Sequence, residues 1–160
     1  LNIEDLDFES LVPELDEERT IAKAKHFLMR TFPRLQRVSH IQASDLKSPS
    51  MDGMPKVASA VNHTDDKIVK RLAAEEAVNQ VIKAINGCTC MSRQILIKLY
   101  IQHHSDTNVT IDLHLTRSHY FDKYKPLALL EFADALSGVQ ELRVFQGEVE
   151  NGTAWGLYGD

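Results

Sequence analysis

Between Val109 and Lys125 the chain reads Val-Thr-Ile-Asp-Leu-His-Leu-Thr-Arg-Ser-His-Tyr-Phe-Asp-Lys-Tyr-Lys. A helix opened at Thr116 turns Thr116, Arg117, Ser118, Phe121, Asp122 and Lys125 outward and leaves Lys123 at the edge. The chemistry such a face offers is recognition of a polyanion. Arg117 carries a planar fork of donors that matches guanine in the major groove, and Ser118, Lys123 and Lys125 suit phosphate oxygens. Asp122 works against this use unless it accepts from a cytosine amino group or pairs with a neighbour.

Other chemistries find less support. Cys88, Cys90, His103, His104, His114 and His119 could ligate zinc, but a Cys-x-Cys pair and adjacent histidines do not match the usual spacings, so no metal site is expected. No Gly-rich phosphate loop, His-Glu-x-x-His run or Gly-x-Ser-x-Gly elbow occurs, and adjacent Glu75 and Glu76 diverge on a helix. The expectation is a protein without catalytic residues or cofactor.

The outward face needs a scaffold. Val109, Leu113, Leu115 and Tyr120 are expected inside, between a short helix and a long one, with His114 at the turn between them. That order is a helix-turn-helix, whose second helix enters the major groove. The same pattern also describes two helices packed in an all-α core. Glycine is common where His114 stands, because the backbone there is left-handed; histidine tolerates the region at a cost.

Further elements follow from caps and breaks. Asp16 caps a first helix with Glu17 and Glu18 in its opening turn. Pro33 stops or restarts it, and Leu35, Val38 and Ile41 continue a second short helix. Periodicity fails from Ser44 to His63, where Ser48-Pro-Ser-Met-Asp-Gly-Met-Pro-Lys56 reads as a loop. Thr64 caps a long helix over 64–86 that ends at Asn86-Gly87, and Ser92 caps the next. The last helix runs from Arg117 to Ser137-Gly138 with a kink at Pro126. Beyond it Leu142, Val144 and Phe145 suit a strand, and Asn151-Gly152 either turns a small hairpin or belongs to a tail without structure. Three segments result: an N-terminal helical segment with its Pro-rich loop (1–62), a scaffold helix with the helix-turn-helix (63–138), and a tail or hairpin (139–160).

Charge is unevenly placed. The 160 residues carry 18 Lys and Arg against 23 Asp and Glu, a net −5 that argues mildly against nucleic acid. The first eighteen residues hold only acidic charges, whereas Arg19, Lys23, Lys25, Arg30, Arg34, Arg37 and Lys47 face only Asp45. A solvated basic face beside an acidic tail explains this, as does contact with phosphates. No apolar run is long enough for a bilayer, the acidic start lacks the basic flank of a signal peptide, and the close cysteines imply no disulfide framework. A cytoplasmic protein is expected, with no membrane partner.

Several stretches carry a family resemblance. They are Pro13-Glu-Leu-Asp-Glu-Glu-Arg-Thr20, Phe32-Pro-Arg-Leu35, the loop Ser48–Lys56 with Asn62, Arg93-Gln-Ile-Leu96 to Tyr100, Leu115-Thr-Arg-Ser118, and Ala128-Leu-Leu-Glu-Phe-Ala133. Together they resemble the ArpU-type phage transcriptional regulators, named for an autolysin regulator. The resemblance implies control of late phage genes for lysis or packaging in a bacterial host cell. It also implies a DNA-reading half similar to region 4 of bacterial sigma factors, in which Arg93 and Gln94 approach the DNA backbone. The resulting expectation is an all-α regulator that binds double-stranded DNA as a homodimer, with RNA polymerase as a further partner. Thr116, Arg117, Ser118, Phe121 and Lys125 would face the groove; Arg93, Gln94 and Lys123 would position the backbone, with Arg34 and Arg37 as additions. The competing expectation is a helical interaction module that holds a polymerase, sigma or packaging component without reading DNA itself.

Overall fold

The computed structural model describes residues 2–40 and 62–149, and among them the regular elements are helices, with no strand. A single 3-10 turn at Ile3–Asp5 and the short α1 (Phe8–Leu11) precede α2 (Glu17–His26) and α3 (Phe32–Ser39). After the long α4 (Asn62–Asn86) come α5 (Cys90–Leu96), α6 (Asp106–Asp112), α7 (Arg117–His119) and α8 (Lys125–Leu136). Of the loop expected from Ser44 to His63, residues 44–61 lie outside the described residues and Asn62 and His63 already belong to α4; the hairpin at Asn151-Gly152 also lies outside them.

The centre of the fold is α8. Ala128, Leu129, Phe132, Ala133 and Leu136 recur at helical spacing and are all buried, so this helix packs at once on α2, α4 and α5. Phe132 meets the Phe27 ring at a centroid distance of 6.0 Å. Ala24, Leu28 and Phe32 come from one side, Val78, Val81 and Ile85 from α4, and Ile95 and Leu96 from α5. Residues from all three expected segments join this one core, Leu142 among them. The apolar face expected along α4 buries only from Ala74 onward. Ile68, Val69 and Leu72 are exposed, because the first half of α4 extends past the core and lies against α3.

Pro33 stands in the opening turn of α3, as expected of a restart, and Pro126 in the opening turn of α8. A proline ring collides with the carbonyl four residues back. Before Pro33 the chain widens into a π-turn, Phe27–Thr31, closed by the Phe32 N–H donating to the Phe27 carbonyl. Before Pro126 it widens again, Tyr120–Tyr124, where the Lys125 N–H donates to the Tyr120 carbonyl. The wider turn makes room for the ring without ending the helix, so α2 runs on into α3 and α7 into α8. A third π-turn, Ile97–Ile101, extends α5 and closes through Gln102 N–H to the Ile97 carbonyl at 2.9 Å.

Cap predictions met mixed outcomes. Asp16 accepts from the Arg19 N–H at 3.1 Å and caps α2 as expected. Helix α4 ends at Asn86, and the Gly87 N–H closes its last turn on the Lys83 and Ala84 carbonyls. Its start, however, is Asn62 rather than a Thr64 cap. Ser92 is not a cap either: α5 opens at Cys90 after Thr89, and Ser92 is buried in its first turn. The strand expected at Leu142–Phe145 reduces to one antiparallel bridge between Leu15 and Phe145. Thr20, fully buried, fastens this segment by accepting from the Val144 N–H at 2.9 Å, and Asp16 N–H donates to the Val144 carbonyl at 2.8 Å.

Candidate functional site

The polar face foreseen at Thr116–Lys125 is built by one tight connection and one anchoring network. Ser105 accepts from the Asn108 N–H at 3.2 Å and opens α6; Val109, buried in α6, points to the core. His114 then takes the left-handed conformation, φ 54°, and Leu113 and Leu115 on either side pack against the core. Thr116 caps α7, its hydroxyl oxygen accepting from the His119 N–H at 3.2 Å. The order is therefore a short helix, a turn and a long helix.

His114 is exposed, as are His40 and His103, the other two non-glycine residues with positive φ among the described residues. A left-handed residue with a Cβ costs about 1–2 kcal/mol, while glycine adds about 0.5–1 kcal/mol of unfolded-state entropy. His114→Gly is thus expected to stabilise the fold by up to about 1 kcal/mol. A rise in the urea midpoint would show it, whereas a fall would mean that the imidazole makes a compensating contact.

Thr116, Arg117, Ser118 and Phe121 come together on an exposed face. The Arg117 guanidinium stands 5.1 Å from the Phe121 ring centre, and this stacking orients its fork without consuming its donors. Ser118 donates to Asp122 at 3.2 Å, so the carboxylate that opposes phosphate has a neighbour to pair with. Lys123 is exposed at the edge, 5.2 Å over the Tyr124 ring. Lys125 departs from the sequence expectation. It is half-buried and turned towards α6, its Nζ 2.9 Å from Asp106, because a carboxylate within reach outcompetes water for the ammonium. Arg93 and Gln94 sit apart on α5: Arg93 donates to the Asn86 carbonyl at 3.4 Å and Gln94 is exposed.

Asp106 and Glu131 are the residues that sequence reading passed over. Asp106 accepts from the Tyr120 hydroxyl at 2.6 Å as well as from Lys125, which ties α6 to the π-turn behind the exposed face. Burial raises its pKa, but the Tyr120 and Lys125 hydrogen bonds outweigh this and hold the carboxyl below its ordinary value. Tyr120, wholly buried, is pushed up by burial and by that same carboxylate. Glu131 reaches from α8 to the start of α5, accepting from the Thr89 N–H and hydroxyl, each at 3.0 Å, and from the Ser92 hydroxyl. Only the position of Asp106 beside Ser105, in a first helical turn, hinted at a role; nothing local marks Glu131.

Burial, reinforced by the Glu131 charge, lifts the Cys88 thiol to about 11, and no group of three candidate metal ligands forms among the described residues. Nor is any helix among them long and apolar enough to cross a membrane.

Comparison with known proteins gives one informative relative. A protein of Enterococcus hirae that bears the name autolysin regulatory protein ArpU is 30% identical over 126 residues, covering 78% of this chain and 91% of its own length. No family model and no solved structure matches the chain.

Proposed function

The chain belongs to the ArpU-type family of autolysin regulatory proteins, and from that premise we propose that it is a sequence-specific DNA-binding regulator of phage lysis or packaging genes. The observation that carries the reading is the exposed Arg117–Ser118–Phe121 face beyond the left-handed His114 turn. A helix-turn-helix of the kind found in sigma region 4 presents such a face to the major groove. Arg117 reads a guanine, Thr116, Ser118 and Phe121 contact the groove wall, and Lys123, Arg93 and Gln94 take the flanking phosphates. Lys125 keeps a structural place through Asp106 and contributes charge from behind. The protein acts as a homodimer, since one module of this size covers little DNA.

A specific observation favours a second reading. Ile3, Phe8, Leu11 and Val12 are exposed among the acidic residues Glu4, Asp5, Asp7 and Glu9. An acidic segment with uncovered apolar side chains suits a partner such as RNA polymerase. In that reading the same helices hold a protein and do not read DNA.

Selection of binding sites from a random duplex library tests the first reading. One enriched motif is expected, and Arg117→Ala should bind it with about 1–3 kcal/mol less affinity while unfolding at the same temperature. Failure to enrich any motif would leave only the protein-binding reading.

A further inference from the structure

A second basic site lies away from the Arg117 face. Helix α3 places Arg34 and Arg37 three residues apart, and α4 places Lys67, Lys70 and Arg71 at the same helical spacing. These two faces look onto a common cleft of about 600 Å³. Among the described residues no carboxylate lines it. Arg71 is held by Glu75 at 3.1 Å, but Arg34, Arg37, Lys67 and Lys70 have no carboxylate partner among the described residues.

Scarcity of acid does not explain this arrangement. The chain has 23 Asp and Glu against 18 Lys and Arg, and acidic residues pair readily elsewhere in the fold, as Asp106 and Glu141 do. Four cations around one cleft, with no carboxylate partner among the described residues, repel each other, a cost that a seated polyanion would reverse. Arginine forks match phosphate oxygens in two-point contacts, and lysines supply charge without demanding geometry. Val38 and Ile68, 44% and 40% exposed, stand between the charges; they offer no acceptor or donor that could read a base edge. Helix α3 also borders the cleft that holds Lys125, through Pro33, the residue before Arg34.

We propose that the α3–α4 cleft seats the sugar–phosphate backbone of duplex DNA as a second, sequence-independent contact, made by Arg34, Arg37, Lys67 and Lys70. The proposal rests on the DNA-binding reading above and deepens it: the Arg117 face selects the sequence, and the cleft supplies salt-sensitive affinity. Each phosphate neutralised adds about 0.9 to the slope of log affinity against log salt.

The test is a salt titration of the full chain by fluorescence anisotropy on two labelled duplexes, one selected and one of random sequence. Arg34→Ala with Arg37→Ala, and separately Lys67→Ala with Lys70→Ala, should flatten the slope by about 1–2 and weaken both duplexes alike. Arg117→Ala should instead erase the preference between them. Arg34→Lys with Arg37→Lys keeps the charge and should keep the slope; a slope lost there too would assign the arginines to folding and overturn the proposal. Wild-type slopes in both alanine pairs, with the Arg117 effect intact, would overturn the cleft and leave the DNA reading standing. No binding to either duplex by the wild type would sink both. Uptake of inorganic tripolyphosphate without any duplex binding would make the cleft a small-anion site and likewise overturn it.

Discussion

Replacing Tyr120 with alanine is expected to remove about 3–5 kcal/mol of folding stability, the range for deleting a large aromatic ring from a close-packed core. Tyr120 is the largest fully buried side chain among the described residues, and its ring meets Phe121 edge-on at 4.9 Å. Domains of this size hold a total of about 5–15 kcal/mol, so the variant should melt far below the wild type. The loss also reaches the exposed face, because the Phe121 ring on which Arg117 stacks rests against Tyr120. Tyr120→Phe separates the two contributions. It keeps the ring and removes only the hydroxyl that donates to Asp106, and should cost about 1 kcal/mol. Equal losses in the two variants by urea unfolding would refute the assignment of most of the energy to ring burial.

The same network has a pH signature. Asp106 is held below its ordinary value of 3.8 in the folded chain. Its contribution is therefore fully present above that ordinary value and is lost as pH falls through the lower folded value. Asp106→Asn should consequently be less stable than the wild type at neutral pH and draw level with it in acid. The effect is modest, since the Asp106 side chain is 37% exposed and solvent screens its pairing with Lys125.

The contrast between what was legible and what was not follows from the reach of each interaction. Asp16 as a cap, Asn86 as a helix end and His114 as a left-handed turn were readable, because each depends on residues within four positions. The buried side of the exposed face was readable too, since Val109 and Tyr120 fall at helical spacing. Lys125 was misplaced because its partner, Asp106, lies nineteen residues earlier and across a turn. Pro126 was read as a kink and Pro33 as a stop or restart; the π-turn before each, which makes room for its ring, was not legible, because nothing in local propensity announces that adjustment. Thr20 holding Val144 spans 124 positions, a distance at which periodicity carries no information. Ser92 looked like a cap from its type alone; the carboxylate that claims it sits two helices away.

That carboxylate supports the last prediction, that Glu131→Ala lowers stability by about 2–4 kcal/mol, a large effect for a half-buried residue. Helix α5 begins without a working cap of its own: the Thr89 side chain accepts no N–H from the first turn. Glu131 replaces it from α8, taking the Thr89 N–H, the Thr89 hydroxyl and the Ser92 hydroxyl, and setting a negative charge at the positive end of the helix. Removal would take the charged acceptor from the buried Ser92 hydroxyl, leaving it only the Thr89 hydroxyl at 3.3 Å, a cost of about 1–3 kcal/mol, and forfeit a charge–dipole term of about 0.3–1 kcal/mol. Burial raises the Glu131 pKa, but the Ser92 and Thr89 hydrogen bonds outweigh it and hold the group below 4.5. Its stabilising effect should thus be complete above that value and fade as pH falls through the folded one. Glu131→Gln keeps the shape and one acceptor oxygen, and should recover about half of the loss. Hydrogen exchange supplies the local readout: protection should fall first in the opening turn of α5, the turn that carries Arg93 and Gln94. Uniform loss across α4 and α8 instead would mean that Glu131 acts through the packing of α8 and not as a cap supplied from a distance.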